Sequence, residues 1–319
     1  MKRDLISFSP FTRDEIGEIF SLTARMKKTP GFHDRPMTGK TAVLVFEKQS
    51  LRTHLSFEIG VAQLGGTAVY LDQRHIGLGT REPVRDVAEV IACYSDMIIA
   101  RTMEHRTVEA LACHATVPVI NALTDLLHPC QILADAFTLW ERDLFHPETT
   151  VAFIGDGNNV VNSWLELAEK TPFRFVLACP EGYEPDKQIL NRARKAGVSE
   201  ITITRDPLEA ASGADALYTD VWVSMGQEEE RAKRLEAFRG YQINQKLLAV
   251  ARPGCVVMHC LPAHRGEEIT ADVLEGDRSV VIRQAENRLH VQKGVMAFLI
   301  AAGESLPRMS PSIAESVPA

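Results

Sequence analysis

Lys48, Ser50, Arg52, Thr53 and His54 crowd cationic and hydroxyl side chains into one short stretch. Before them, Thr41-Ala42-Val43-Leu44-Val45-Phe46 is an apolar, β-branched run that reads as a buried parallel strand. After them, Leu55, Ile59, Ala62 and Leu64 recur at helical spacing, closed by Gly65-Gly66. Ser50 stands where an N-cap belongs. The first turn of a helix has unpaired N–H groups and the positive end of the dipole, so cations there carry the wrong sign. An anion reconciles them. Backbone N–H groups, the Ser50 and Thr53 hydroxyls and a forked Arg52 would cradle a phosphate. The plainer alternative is a capped helix with an exposed Arg.

Other polar groups also follow apolar runs. Arg101-Thr102 comes after Asp96–Ala100, and His128-Pro129-Cys130-Gln131 opens a helix, with Pro129 at its first position. Gly155-Asp156-Gly157-Asn158-Asn159 follows Val151–Ile154 and resembles the start of a dinucleotide fingerprint, but Val160 stands where the third glycine belongs. Its two Asn suggest hydrogen bonds to a small polar ligand. Asp220 and Ser224 follow Ala216–Thr219 and could hold an ammonium group. The charged segment 227–239 beyond them reads as a wet face. His259-Cys260-Leu261-Pro262-Ala263-His264 leaves a strand too. It matches no common zinc spacing, and adjacent His and Cys side chains on a strand diverge, so no metal is expected.

The elements that must position these residues alternate. Strand patterns fall at 41–46, 67–71, 96–100 and 117–120, with helical patterns between them and a longer helix at 129–142. A second series has strands near 150–154, 173–178, 200–203, 215–219, 255–259 and 279–282. This order predicts an α/β protein of two doubly wound parallel-sheet domains. We expect residues 1–143 and 144–283 to form the domains, with a helix at 284–302 and a fraying tail at 303–319. In such sheets ligands sit beyond the carboxyl ends of the strands, where these polar groups fall.

The 319 residues suffice for two cores, with 45% hydrophobic and 24% charged residues and a net charge of −7. That balance argues against nucleic acid as a partner. Six scattered cysteines without a C-x-x-C pair suggest reduced thiols and a cytoplasmic protein. The start lacks a leader-like apolar run, and nothing approaches a membrane span.

The chain resembles the ornithine carbamoyltransferases over about residues 5–302. The family's Ser-Thr-Arg-Thr-Arg motif stands here as Ser50-Leu51-Arg52-Thr53-His54. His-Pro-Cys-Gln is intact at 128–131, Asp-x-x-x-Ser-Met-Gly at 220–226 and His-Cys-Leu-Pro at 259–262. The last two separate ornithine enzymes from the aspartate enzymes that share the phosphate half. The resemblance implies that Ser50, the Leu51 backbone, Arg52 and Thr53 hold the phosphate of carbamoyl phosphate. Thr53, Arg101 and His128 would polarise its carbonyl, with Arg101 also reaching the phosphate. Gln131 would meet the carbamoyl nitrogen, and Arg288 would close that site. Cys260 and the Leu261 carbonyl would line the reacting centre, before a cis bond to Pro262. Asn159, Asp220, Ser224 and Met225 would hold L-ornithine. It further implies no cofactor, a C-terminal helix returning to the N-terminal domain, and trimers or assemblies of trimers with sites at subunit interfaces.

Three positions depart from the family pattern. Leu51 replaces a Thr and His54 an Arg. Gly77 stands where a Gln or His often reaches the neighbouring subunit's site, so Arg81 or His75 would reach across instead. The expected chemistry is attack of a neutral amine on a carbonyl whose leaving group is already good. Rival readings are transfer to putrescine or an N-acylated ornithine, a dinucleotide-dependent oxidoreductase resting on Gly155-x-Gly157, and a non-catalytic relative. The direction of the reaction in arginine metabolism is not legible from the residues.

Overall fold

The computed structural model describes residues 2–28, 35–72, 77–223 and 228–304. His75, Ser224, Met225, Gly226 and the tail from 305 onward lie outside these residues. The chain opens with α1 (Arg13–Lys28). Thr12 N–H donates to the Glu15 carboxylate at 2.9 Å, and the Thr12 hydroxyl accepts from Glu15 N–H at 3.2 Å, a reciprocal cap.

The first sheet contains β1 (Thr41–Phe46), β2 (Thr67–Asp72), β3 (Met97–Arg101) and β4 (Val119–Leu123), all parallel, in the order β2-β1-β3-β4. Its crossovers are α2 (Leu51–Gln63), α3 (Val84–Tyr94) and α4 (His105–His114). Helix α5 (Pro129–Trp140) leads to the second sheet. There β5 (Thr150–Ile154), β6 (Arg174–Ala178), β7 (Glu200–Thr204), β8 (Ala216–Thr219) and β9 (Val256–His259) run parallel in the order β7-β6-β5-β8-β9. They alternate with α6 (Asn159–Ala168), α7 (Lys187–Ala196), α8 (Pro207–Ala211), α9 (Arg231–Ala237) and α10 (Gln245–Val250). The short α11 (Ala271–Leu274) and the long α12 (Val281–Glu304) complete the described chain. β1, β3 and β8 are buried along most or all of their length, as strands covered on both faces must be.

Two sequence expectations are corrected. No strand forms at 279–282: Ser279 makes an isolated bridge to Val257, and α12 begins at Val281. Gln284 N–H donates to the Val280 carbonyl at 2.8 Å, so the helical turn claims this β-branched run and still buries Val280 and Val281. The charged segment 228–237 is a 3-10 turn followed by α9, and it is not wholly a wet face. Arg234 is buried, with its guanidinium 2.9 Å from Asp156 and 3.0 Å from the Trp222 carbonyl.

The two sheets share an aromatic seam. Phe20 contacts Phe137 and Phe145, Phe145 contacts Phe173, and Phe173 meets Trp164 edge-on. Helix α12 returns to the first sheet and packs on α1, α2 and α5, burying Val291, Val295, Met296 and Leu299. Burial of such side chains contributes about 1.5–3 kcal/mol each. That helix therefore holds its polar residues in fixed places over the first sheet.

Candidate active site

The carboxyl ends of both sheets face one cavity of about 640 Å³. In the first sheet Phe46 pairs with Arg101, and the β3–β4 register slips between Ala100 and Arg101. Such an irregularity re-aims a strand-end side chain. Arg101 accordingly lines the cavity while only 4% exposed. In the second sheet Thr219 pairs with His259, so Asp220 and Cys260 leave adjacent strands side by side.

The first wall is the predicted cradle. Ser50 is the N-cap of α2, and its hydroxyl accepts from Thr53 N–H at 3.3 Å. The Ser50 hydroxyl also lies 3.0 Å from the Thr53 hydroxyl, which accepts from Arg288 Nη2 at 2.9 Å. Lys48, Ser50, Leu51, Arg52, Arg101, His128, Gln131 and Arg288 line the cavity. Thr53 is fully buried behind them, bridging Ser50 to Arg288. The Nε atoms of Arg52, Arg101 and Arg288 are buried without a hydrogen-bond partner among the described residues, as is His128 Nδ1. Burial, Arg288 and Arg52 push the Arg101 pKa down to about 10. Burial, then the same three guanidiniums, holds His128 well below the usual imidazole range, so it is neutral. The helix N-terminus and three converging cations make a site for a multiply charged anion.

The second wall centres on one carboxylate. Asp220 receives Asn158 Nδ2 at 2.8 Å, Val221 N–H at 2.8 Å and the Cys260 thiol at 2.8 Å. Burial and the neighbouring Asp220 carboxylate push the Cys260 thiol well above its ordinary range, so it stays protonated. His259 donates from Nε2 to Glu268 at 3.0 Å and accepts Leu261 N–H on Nδ1 at 2.9 Å. Leu261 is thereby held at φ 59°, unusual for a non-glycine residue, and the Leu261–Pro262 bond is cis. Asn159 lines the cavity and donates to the Thr124 carbonyl at 2.6 Å.

Some expectations separate here. The Leu51 side chain is 73% exposed, so this position offers the cradle its backbone N–H. Among the described residues, Gly77 and Arg81 do not line this chain's cavity. Gly77 adopts φ 59°, and its carbonyl accepts Thr80 and Arg81 N–H groups in a tight turn. A Cβ there would lie 2.8 Å from Arg81 Cβ, which accounts for the glycine. His259 and Cys260 do not diverge: with Asp220 their ligand atoms lie within 4.8 Å of one another, because the chain turns sharply after β9. Those atoms are already hydrogen-bonded, His259 to Glu268 and Leu261 and the Cys260 thiol to Asp220. Gly157 is needed for packing, since a Cβ would meet Pro185 N at 2.3 Å, and Asn158 caps α6. Gly157 thus serves a loop contact, which counts against the dinucleotide reading. Arg231 and His264 also line the cavity, and the charge run around Arg231 hid its position.

A cationic helix-start cradle and a second wall centred on the Asp220 carboxylate, facing each other at the ends of two parallel sheets, define a two-substrate cleft. Comparison with known proteins specifies it. Residues 3–141 match the family model for the aspartate/ornithine carbamoyltransferase carbamoyl-P binding domain, and residues 147–299 match that for the Asp/Orn binding domain. The ornithine carbamoyltransferase of Chlorobaculum tepidum is 53% identical over 304 residues, covering 94% of this chain and 90% of the relative. That of Syntrophus aciditrophicus is 49% identical over 302 residues, covering 94% of this chain and all of the relative. The solved ornithine carbamoyltransferase of Pyrococcus furiosus superposes with a TM-score of 0.89 at 43% identity, covering 94% of this chain and 97% of that one. The chain belongs to the aspartate/ornithine carbamoyltransferase family.

Proposed function

We propose that the protein transfers the carbamoyl group of carbamoyl phosphate to the side-chain amine of L-ornithine, giving L-citrulline and phosphate. The observation that carries this reading is the convergence of Arg52, Arg101 and Arg288 around neutral His128 at the start of α2. Buried ions cost several kcal/mol each, and a phosphate dianion offsets that cost. Ser50, the Leu51 N–H and Arg52 hold the phosphate, and Thr53 seats Arg288 against it. Arg101 and His128 polarise the carbonyl, and Gln131 meets the carbamoyl nitrogen; Thr53, behind the lining, acts through Ser50 and Arg288.

Asp220, Asn159, Ser224 and Met225 hold the amino-acid end of ornithine, with Cys260 and the Leu261 carbonyl at the reacting centre. The Asp220 carboxylate suits an ammonium group of a diamino acid better than the second carboxylate of aspartate. The amine lone pair forms the new C–N bond as the C–O bond breaks. The bonding pair leaves with phosphate, which takes up the amine proton. Fixed donors stabilise the developing negative charge, and alignment of both substrates supplies much of the rest.

The setting we infer is cytoplasmic arginine metabolism and a homotrimer. Among the described residues no helix is long and apolar enough to cross a membrane. Helix α2 exposes Leu51, Leu55 and Ile59 beside the cavity, a row suited to a second copy. The Gly77–Glu82 turn, off its own chain's cavity, would then reach a neighbour's, and Arg81→Ala would weaken carbamoyl phosphate binding.

The deciding experiment mixes purified protein, carbamoyl phosphate and L-ornithine and measures citrulline. Arg52→Ala is expected to lose about a hundredfold or more in rate. Equal or faster transfer to putrescine or N-acetylornithine would overturn the acceptor assignment.

A further inference from the structure

Asp135 lies one helical turn after Gln131 on α5 and is fully buried. Three neutral donors surround it. Gln131 Nε2 and Gln284 Nε2 each donate to Oδ1 at 2.8 Å, and the Tyr218 hydroxyl donates to Oδ2 at 2.7 Å. Gln284 accepts His259 N–H on its Oε1 at 2.9 Å. One carboxylate of the first half therefore gathers the cavity-lining Gln131, the strand β8 that leads to Asp220, and the helix α12 that carries Arg288. A buried carboxylate without a cationic hydrogen-bond partner is poor for stability alone. Burial raises its pKa to about 6, against the lowering effect of the three donors and Arg288.

The chemistry of the amide gives this arrangement a purpose. A glutamine side chain can face either its NH2 or its oxygen toward a ligand. A carboxylate beside it accepts only from the NH2, which turns the oxygen toward the cavity. The amide end of carbamoyl phosphate carries two N–H donors and needs that acceptor.

We propose that Asp135 is a positioning residue that fixes the flip of Gln131, so that the site selects a carbamoyl NH2 over a group of the same shape without N–H donors. The inference rests on the carbamoyl phosphate reading above.

The test compares Kd for carbamoyl phosphate with Kd for acetyl phosphate, whose methyl replaces the NH2, by calorimetry. The proteins are wild type, Asp135→Ala and Asp135→Asn. Asp135→Leu, which fills the same space, serves where the alanine variant does not fold. Losing the fixed acceptor is expected to weaken carbamoyl phosphate about tenfold and to change acetyl phosphate by less than about twofold. Asp135→Asn keeps an oxygen for Gln131 and Gln284, while the Tyr218 hydroxyl can turn to accept, so it retains the preference. A residue that only joins the two halves would weaken both ligands together, and that result overturns the proposal. So does an unchanged ratio. Wild-type protein that binds carbamoyl phosphate but makes no citrulline would overturn the acceptor assignment and leave this comparison standing. Wild-type protein that does not bind carbamoyl phosphate would overturn both.

Discussion

Arg288 reaches across 235 positions of sequence to donate to the Thr53 hydroxyl at 2.9 Å. This bond makes the phosphate cradle a product of both ends of the chain. Ser50 and Thr53 come from the helix after β1, Arg101 from the end of β3, and Arg288 from the second turn of α12. Each guanidinium is carried by a different element: Arg52 by α2, Arg101 by β3 and Arg288 by α12. The site is therefore assembled before any anion arrives, at the expense of holding like charges together.

That expense is measurable. Phosphate or carbamoyl phosphate at about a hundred times its Kd should stabilise the protein by about 2.7 kcal/mol. For a chain of this size the midpoint of thermal unfolding should rise by about 4 °C. Arg101→Met should remove most of this rise while leaving the ligand-free midpoint equal to or above that of wild type. Scanning calorimetry with and without phosphate checks both. A ligand-free Arg101→Met that melts several degrees earlier would show that the guanidinium is structural.

Three groups at the site hold one protonation state near and above neutral pH. His128 is held neutral well below its ordinary pKa, and the Cys260 thiol is held protonated well above its own. Asp135, raised to about 6, loses its proton below the working range. The ornithine side-chain amine, with a pKa near that of lysine at about 10.4, must lose its proton before it attacks. Log(kcat/KM) for ornithine should climb with a slope near one from about pH 7 to about pH 8.5, a gain of about thirtyfold. A flat profile over that interval would mean that deprotonation of the amine does not limit the rate.

Cys260 is reactive in position but not in charge. The thiolate is the form that alkylates, and burial beside Asp220 disfavours it. Iodoacetamide at about pH 8 should label the exposed Cys93 and Cys113 at least about tenfold faster than Cys260. Asp220→Asn removes the repelling carboxylate and should raise the Cys260 rate. Peptide mass mapping over time reads all three sites, and Cys260 labelling first would contradict the protonated thiol.

Much of this architecture was legible because parallel strands announce themselves. β1 and β5 are apolar, β-branched runs bounded by polar turns, and both begin and end where the pattern does. The rule that ligands lie beyond strand ends then gathered Arg52, Arg101, His128, Asp220 and Cys260 into one cavity. The run at 279–282 misled because four residues with two valines suit a strand or a buried helix start equally. Arg231 was lost among neighbouring charges. Asp135 was overlooked although its signal was present: one carboxylate inside Ile132-Leu133-Ala134-Asp135-Ala136-Phe137 can only be buried with partners. The tight turn at Gly77 and the bond from Arg288 to Thr53 depend on backbone angles and distant contacts, which spacing does not encode.

The returning helix also bears on how the protein comes to life during synthesis. The stretch matched to carbamoyl-P binding, residues 3–141, does not contain Arg288 or Gln284. A growing chain can complete both sheets and still lack the cation that sits on Thr53. On the proposed reading, the grip on phosphate is complete only when α12 has docked on α1, α2 and α5.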